Sequence, residues 1–202
     1  CQIPVLSIDY RMPPEHPFPA GLEDVVAVYR HLLEKHPATS LALGGTSAGG
    51  GLILAVTSKF IELGLDLPGA LYTGTPWTDL TKTGDSYVTN EGVDRLLITY
   101  EGLLAGAARR YAGDHDLKDP LLSPVNCDFH GFPPTFLVTG TRDLFLSNTA
   151  RTHTRLRASG VVADLLVFEG VSHGDYAFEA TSPESMQTYT ELNAFLLQHL
   201  QT

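Results

Sequence analysis

Ser47 stands in Gly45-Thr46-Ser47-Ala48-Gly49, a G-x-S-x-G pentapeptide between the apolar run Leu41-Ala42-Leu43 and a helix-like segment, Gly50 to Leu63. On a strand-to-helix turn such a serine takes a strained backbone conformation. The flanking glycines remove Cβ atoms where the strands and the helix close on one another. The N–H groups and dipole of the following helix point toward any negative charge formed there. The backbone N–H of Ala48, one residue past the serine, is the expected oxyanion donor. A serine hydroxyl is a poor nucleophile near neutral pH, so it needs a base, and the base needs an orienting acid. Asp143, in Gly140-Thr141-Arg142-Asp143, and His173, in Gly170-Val171-Ser172-His173-Gly174, have the right types for those roles. Each follows the carboxyl end of an apolar, strand-like run, the edge where open α/β sheets place ligands. The pentapeptide by itself is weakly specific. Serine, aspartate and histidine in that chain order, each on such a loop, are far more so.

Other residues compete for these roles. Asp79 and Glu169 are alternative orienting acids, Glu169 standing four residues before His173. His16 reads as a loop residue, while His31, His36 and His199 ride helices as surface residues. His115, His130 and His153 have no carboxylate or cysteine at ligand spacing, so no metal site is expected.

The elements that must position the three residues alternate along the chain. Strand candidates are Ile3 to Asp9, Leu41 to Gly45, Ala70 to Thr75, Thr135 to Gly140 and Ala163 to Phe168. Their near-continuous hydrophobicity suits a parallel sheet covered on both faces. Leu22, Val25, Val26, Tyr29, Leu32 and Leu33 recur at helical spacing and form one apolar face. Ser147 is a candidate cap for a helix running to Ser159, with Gly160 at its stop. Ser182-Pro183-Glu184 opens the last helix, whose inner face reads Met186, Tyr189, Leu192, Phe195, Leu196 and Leu200. The stretch from Trp77 to Pro134 is less regular, with one or two helices between Gly92 and Tyr111. This βαβα alternation predicts a single, doubly wound α/β domain over residues 1–202.

Composition excludes several classes of function. Of 202 residues, 43% are hydrophobic and 18% charged, as in a globular protein. The net charge of −10 and the lack of a Lys/Arg cluster argue against nucleic acid or an anionic membrane surface as partner. No apolar run approaches the ~18 residues that span a bilayer. The two cysteines, Cys1 and Cys127, make no disulfide framework or zinc spacing, which suits a reducing cytoplasm. The opening decapeptide, Cys1 to Tyr10, has no charged leader and reads as a strand from its first residues. Such a beginning suggests a missing upstream segment.

These residues resemble the bacterial hormone-sensitive-lipase-like esterases, an α/β-hydrolase family. The matching stretches are Asp9-Tyr10-Arg11-Met12-Pro13-Pro14-Glu15-His16-Pro17-Phe18-Pro19-Ala20, then Gly44 to Gly50, then Pro76-Trp77-Thr78-Asp79-Leu80. Asp119-Pro120-Leu121-Leu122-Ser123-Pro124, Thr141-Arg142-Asp143-Leu144 and Gly170 to Gly174 continue the likeness almost to the C-terminus. The resemblance implies an α/β-hydrolase-type, mostly parallel sheet with helices on both faces. It also implies Ser47 as nucleophile, His173 as base and then acid, and Asp143 as the group fixing the imidazole. Thr46, where many relatives carry aspartate, fits the branch with a G-T-S-A-G elbow. The family's H-G-G-G-type oxyanion motif and N-terminal cap helices precede the Asp-Tyr-Arg stretch and are not among these residues. The expectation is therefore an N-terminally shortened domain without a full cap.

The function this implies is hydrolysis of small carboxylic esters through a Ser-His-Asp triad and an acyl-enzyme, without a cofactor. Short acyl chains are expected, because an uncapped acyl site offers little apolar surface. A non-catalytic or weakly active binding protein on the same fold is the alternative. The apolar stretch Ile3 to Asp9, read as an edge strand, also predicts a homo-oligomer that covers it.

Overall fold

In a computed structural model, residues 3–201 are described; Cys1, counted above, lies outside them. Four parallel strands form one sheet in the order β1 (Ala42–Thr46), β2 (Ala70–Gly74), β3 (Thr135–Gly140) and β4 (Ala163–Phe168). Helix α1 (Ala20–Leu33) precedes β1, the strands are joined through helices α2 (Ala48–Glu62), α3 (Ser86–Thr89), α4 (Leu103–Ala112) and α5 (Leu146–Ala158), and α6 (Asp175–Phe178) and α7 (Pro183–His199) follow β4. Parallel neighbours need such crossovers, which place helices on the sheet faces.

Side-chain alternation sorts the core between two faces. Leu71 and Leu137 pack with Ile53 and Leu54 of α2 and Leu156 of α5. Ala70, Phe136 and Val138, displaced by one residue in the same strands, pack instead with Leu192, Phe195 and Leu196 of α7. Helix α1 closes over α2 through Leu22, Val25 and Tyr29, with the Tyr29 ring stacked on Phe60 at 4.1 Å.

Three local expectations need correction. Ile3 to Asp9 has no regular secondary structure and belongs to no ladder, and Val5 and Leu6 are 88% and 62% exposed. A strand is held by its neighbours' N–H and C=O groups, and this segment has none beside it. Ser147 does not cap α5. Its hydroxyl accepts from Ser86 N–H (2.9 Å) and its own N–H donates to the Ser86 hydroxyl (3.0 Å). In α7, Ser182 is the cap, accepting from Ser185 N–H at 3.1 Å, but Met186 and Tyr189 face outward. The smaller Ser185 and Thr188 occupy the inner positions of that first turn. Of the stretch from Gly92 to Tyr111, only Leu103 onward is helical.

Candidate active site

Ser47 occupies the one-residue turn between β1 and α2, at φ 58° and ψ −121°. For a residue with a side chain this backbone costs about 1–3 kcal/mol and persists only where its surroundings over-determine it. Here they do: Ser47 N–H donates to Gly74 O (2.9 Å), and Ser47 O accepts from Trp77 N–H (2.9 Å) and Gly51 N–H (3.1 Å). Although Ser47 is the helix N-cap by position, its hydroxyl caps nothing and is free to point elsewhere.

The neighbouring glycines allow this closeness. A Cβ on Gly45 would lie 2.4 Å from the carbonyl carbon and oxygen of Gly49, and one on Gly51 would lie 2.1 Å from Trp77 O. Gly49, by contrast, has open space at its Cβ position. The two glycines of the pentapeptide therefore serve differently. Gly45 is needed because it offers no side chain toward the Gly49 backbone, whereas the close approach makes no demand on the side chain at 49.

Ser47 Oγ lies 2.9 Å from His173 Nε2, and His173 Nδ1 lies 2.9 Å from Asp143 Oδ1. The three residues, far apart in sequence, thus form one hydrogen-bonded run at the carboxyl edge of the sheet. Asp143 is fully buried and His173 nearly so, whereas Ser47 stays half-buried, open to a reactant. Asp143 Oδ1 also accepts from Phe145 N–H (2.8 Å). Its Oδ2 accepts from the hydroxyls of Thr139 (2.8 Å) and Thr75. A carboxylate with four donors has its acceptor sites filled and cannot rotate freely. Burial pushes the Asp143 carboxyl up, but the hydrogen bond and charge of His173, the Thr75 hydroxyl and Phe145 N–H outweigh it. The carboxyl is thereby held below its ordinary range.

Because Nδ1 faces acceptors, the network assigns the proton to Nδ1 and leaves Nε2 to accept from Ser47. The Phe145 ring packs edge-on to the imidazole at 4.9 Å and closes its other side. Ala48 opens α2, so its N–H is among the orphan donors of that helix end.

The competing acids are engaged elsewhere. Asp79 is buried in an ion pair with Arg151 (2.8 Å) and accepts from Thr81, while Glu169 is exposed. Sequence reasoning missed Thr75, Thr139, Asn90 and Asp94. Asn90 Nδ2 donates to the main-chain carbonyls of Asp143 (2.8 Å) and Thr141 (3.1 Å), and Asp94 Oδ2 accepts from Leu144 N–H (2.7 Å). The next residue, Arg95, reaches the His173 loop. Its N–H donates to the Ser172 hydroxyl (3.2 Å) and its guanidinium to Asp175 (2.6 Å). No periodicity marks this stretch, so no sequence signal pointed to it.

A family model described as alpha/beta hydrolase fold matches residues 1–177. The chain belongs to this alpha/beta hydrolase family. Among similar solved structures, the esterase E25 is 60% identical with a TM-score of 0.94, over 96% of this chain and 59% of that one. An esterase from the bacterial hormone-sensitive lipase family is 36% identical with a TM-score of 0.90, over 96% and 65% of the two chains. An acetyl-hydrolase of Streptomyces hygroscopicus is 33% identical over 95% of this chain and 64% of its own length. An esterase of Acinetobacter venetianus is 29% identical over 96% and 64%. The resemblance to bacterial hormone-sensitive-lipase-like esterases is thus borne out, as is the hydrolase-type parallel sheet. The chain spans a little under two thirds of the length of the curated relatives named here.

An apolar cavity of about 210 Å³ adjoins the elbow in this hydrolase fold. Ala48, Leu52, Trp77, Leu80, Tyr111 and Leu122 are among its walls. No helix among the described residues is long and apolar enough to cross a membrane.

Proposed function

We propose that the chain is a single hydrolase domain that cleaves small carboxylic esters, with Ser47 as nucleophile, His173 as base then acid, and Asp143 as orienting acid. The observation that carries this reading is the continuous run Ser47 Oγ, His173 Nε2, His173 Nδ1, Asp143 Oδ1, with 2.9 Å at each contact. Ser47 Oγ attacks the ester carbonyl while Nε2 takes its proton. The imidazolium so formed keeps its Nδ1–H on the Asp143 carboxylate, which stabilises the new charge. The tetrahedral oxyanion receives the Ala48 N–H at the positive end of α2. Nε2 then protonates the leaving alcohol, and the acyl-enzyme is opened by water that the same nitrogen deprotonates. Each step is proton transfer or acyl transfer and needs no cofactor.

Short acyl groups fit this reading. The cavity beside Ala48 is smaller than the roughly 300–1,000 Å³ usual for ligand pockets, and one relative is named an acetyl-hydrolase. Fluorophosphonate labelling followed by mass spectrometry should place the adduct on Ser47. Ser47→Ala should abolish hydrolysis of p-nitrophenyl acetate. Wild-type turnover in that variant would refute the mechanism, and rates rising steadily toward long-chain esters would refute the short-chain preference.

We also read the chain as a homo-oligomer of the cytoplasm. β1 and β4 are both sheet edges, and an open edge favours pairing with another copy, as does the exposure of the apolar Val5 and Leu6. Cys127, buried and free, suits a reducing compartment. Light scattering after size exclusion checks the assembly: a stable species near 21.9 kDa would overturn it.

A further inference from the structure

We propose that Thr75 is a positioning residue for the acid–base pair, its hydroxyl being the second hydrogen-bond partner of both His173 Nδ1 and Asp143 Oδ2. The inference rests on the triad reading above and adds a fourth side chain to it. Thr75 follows the last residue of β2 and is fully buried, and its Oγ1 lies 2.9 Å from His173 Nδ1 while it donates to Asp143 Oδ2. A hydroxyl has one hydrogen and two lone pairs. Its hydrogen goes to the carboxylate, so a lone pair faces the Nδ1–H. That N–H therefore has two acceptors at 2.9 Å, Asp143 Oδ1 and Thr75 Oγ1.

The backbone at this residue points the same way. Thr75 has φ 41°, and with Ser47 it is one of two residues other than glycine in the left-handed region among those described. For a β-branched residue this conformation is a true outlier. It is held by Thr75 N–H donating to Val138 O at 2.6 Å. Gly74, immediately before it, accepts the Ser47 N–H. Strain of this kind gathers where geometry serves a site. Thr73, two residues earlier and equally buried, has a hydroxyl without a partner, so β2 does not supply partners to its threonines as a matter of course.

Two consequences follow from the arrangement. Turning the imidazole away from Asp143 would break two contacts at Nδ1, and the bond at Oδ2 keeps Oδ1 aimed at the ring. Both matter most when the ring carries the proton taken from Ser47. The residue should therefore act on kcat and leave KM alone.

Three variants and one spectroscopic readout test the idea. Thr75→Ser and Thr75→Ala differ by a single hydroxyl and neither is β-branched, while Thr75→Val keeps the shape and loses the hydroxyl. Thr75→Ala and Thr75→Val should lower kcat on p-nitrophenyl acetate by about tenfold to a hundredfold, as for other hydrogen bonds to charged groups. KM should stay within about twofold, and Thr75→Ser should keep kcat within about threefold of wild type, since it retains the hydrogen bond. The proton NMR signal of His173 Nδ1–H should move in the alanine and valine variants and return in the serine one. Equal losses in all three variants, or an unmoved signal in Thr75→Ala, would overturn the proposal. If valine does not fold, the serine–alanine pair still decides. Absence of fluorophosphonate labelling in the wild type would sink the esterase reading alone, because the NMR comparison needs no turnover.

Discussion

The Asn90 side chain donates its amide to the main-chain carbonyl of Asp143 at 2.8 Å, across 53 residues of sequence. Together with Asp94 and Arg95 it makes the irregular stretch before α4 a brace for both loops that carry Asp143 and His173. The Asp143 loop is tied to the His173 loop a second time, by Arg142 N–H on Val171 O (3.1 Å) and Thr141 N–H on Phe168 O (2.9 Å). The pair is thus fixed from the backbone as well as through its side chains.

Asp94→Ala should be costly for this reason. The variant leaves the buried Leu144 N–H without its acceptor, and an orphaned buried donor costs about 1–3 kcal/mol. Urea denaturation should show a lower midpoint with an unchanged slope. Ester turnover should fall as well, because Leu144 follows Asp143 directly. A variant with wild-type stability would mean that water replaces the carboxylate at no cost.

The two glycines of the elbow should respond in opposite directions. Gly45→Ala places its Cβ 2.4 Å from backbone atoms of Gly49, which cannot rotate away, so overpacking of about 1–3 kcal/mol or more is expected. Gly49→Ala meets nothing within 4 Å and sits in α2, where alanine is favoured over glycine by about 0.5–1 kcal/mol. Thermal melts of the two variants decide the point. Equal destabilisation would show that the elbow does not distinguish them.

Stability at low pH should depend on Asp143. Its carboxyl is raised by burial and lowered more by the hydrogen bond and charge of His173, and by Thr75 and Phe145 N–H. A folded-state pKa below the unfolded value, about 3.9 for aspartate, means that the ionised group stabilises the fold above that value. The contribution is lost as pH falls through the lower folded pKa. Between about pH 5 and pH 2, Asp143→Asn should therefore lose less stability than wild type. Parallel curves for the two proteins in acid titrations followed by circular dichroism would contradict this.

The orienting acid can also be distinguished by exchange. Asp143→Asn should reduce turnover by up to about 10⁴-fold, since the amide cannot hold the imidazole in the working tautomer. Glu169→Gln, on an exposed side chain, should leave it unchanged. A large loss in the glutamine variant would reassign the role.

What the sequence determined by itself was whatever is written in local pattern. β3 and β4 were legible to the residue because their apolar runs are bounded by Gly, Pro and Asp, and α1 because its apolar residues keep a helical period. Ser47, Asp143 and His173 were legible because each chemistry-bearing residue follows a strand end in a recognisable order. Ile3 to Asp9 carried as strong an apolar signal, yet it is no strand, since pairing belongs to neighbours and not to the segment. Met186 and Tyr189 fit the inner face of α7 by period but lie outside it, and Ser185 and Thr188 are the buried residues of that part of the helix. Thr75, Asn90 and Asp94 gave no warning at all. A hydroxyl at a strand end, and an amide and a carboxylate in irregular chain, look like structural residues, and they acquire their roles only when folding brings the Asp143-Leu144 segment within hydrogen-bond reach.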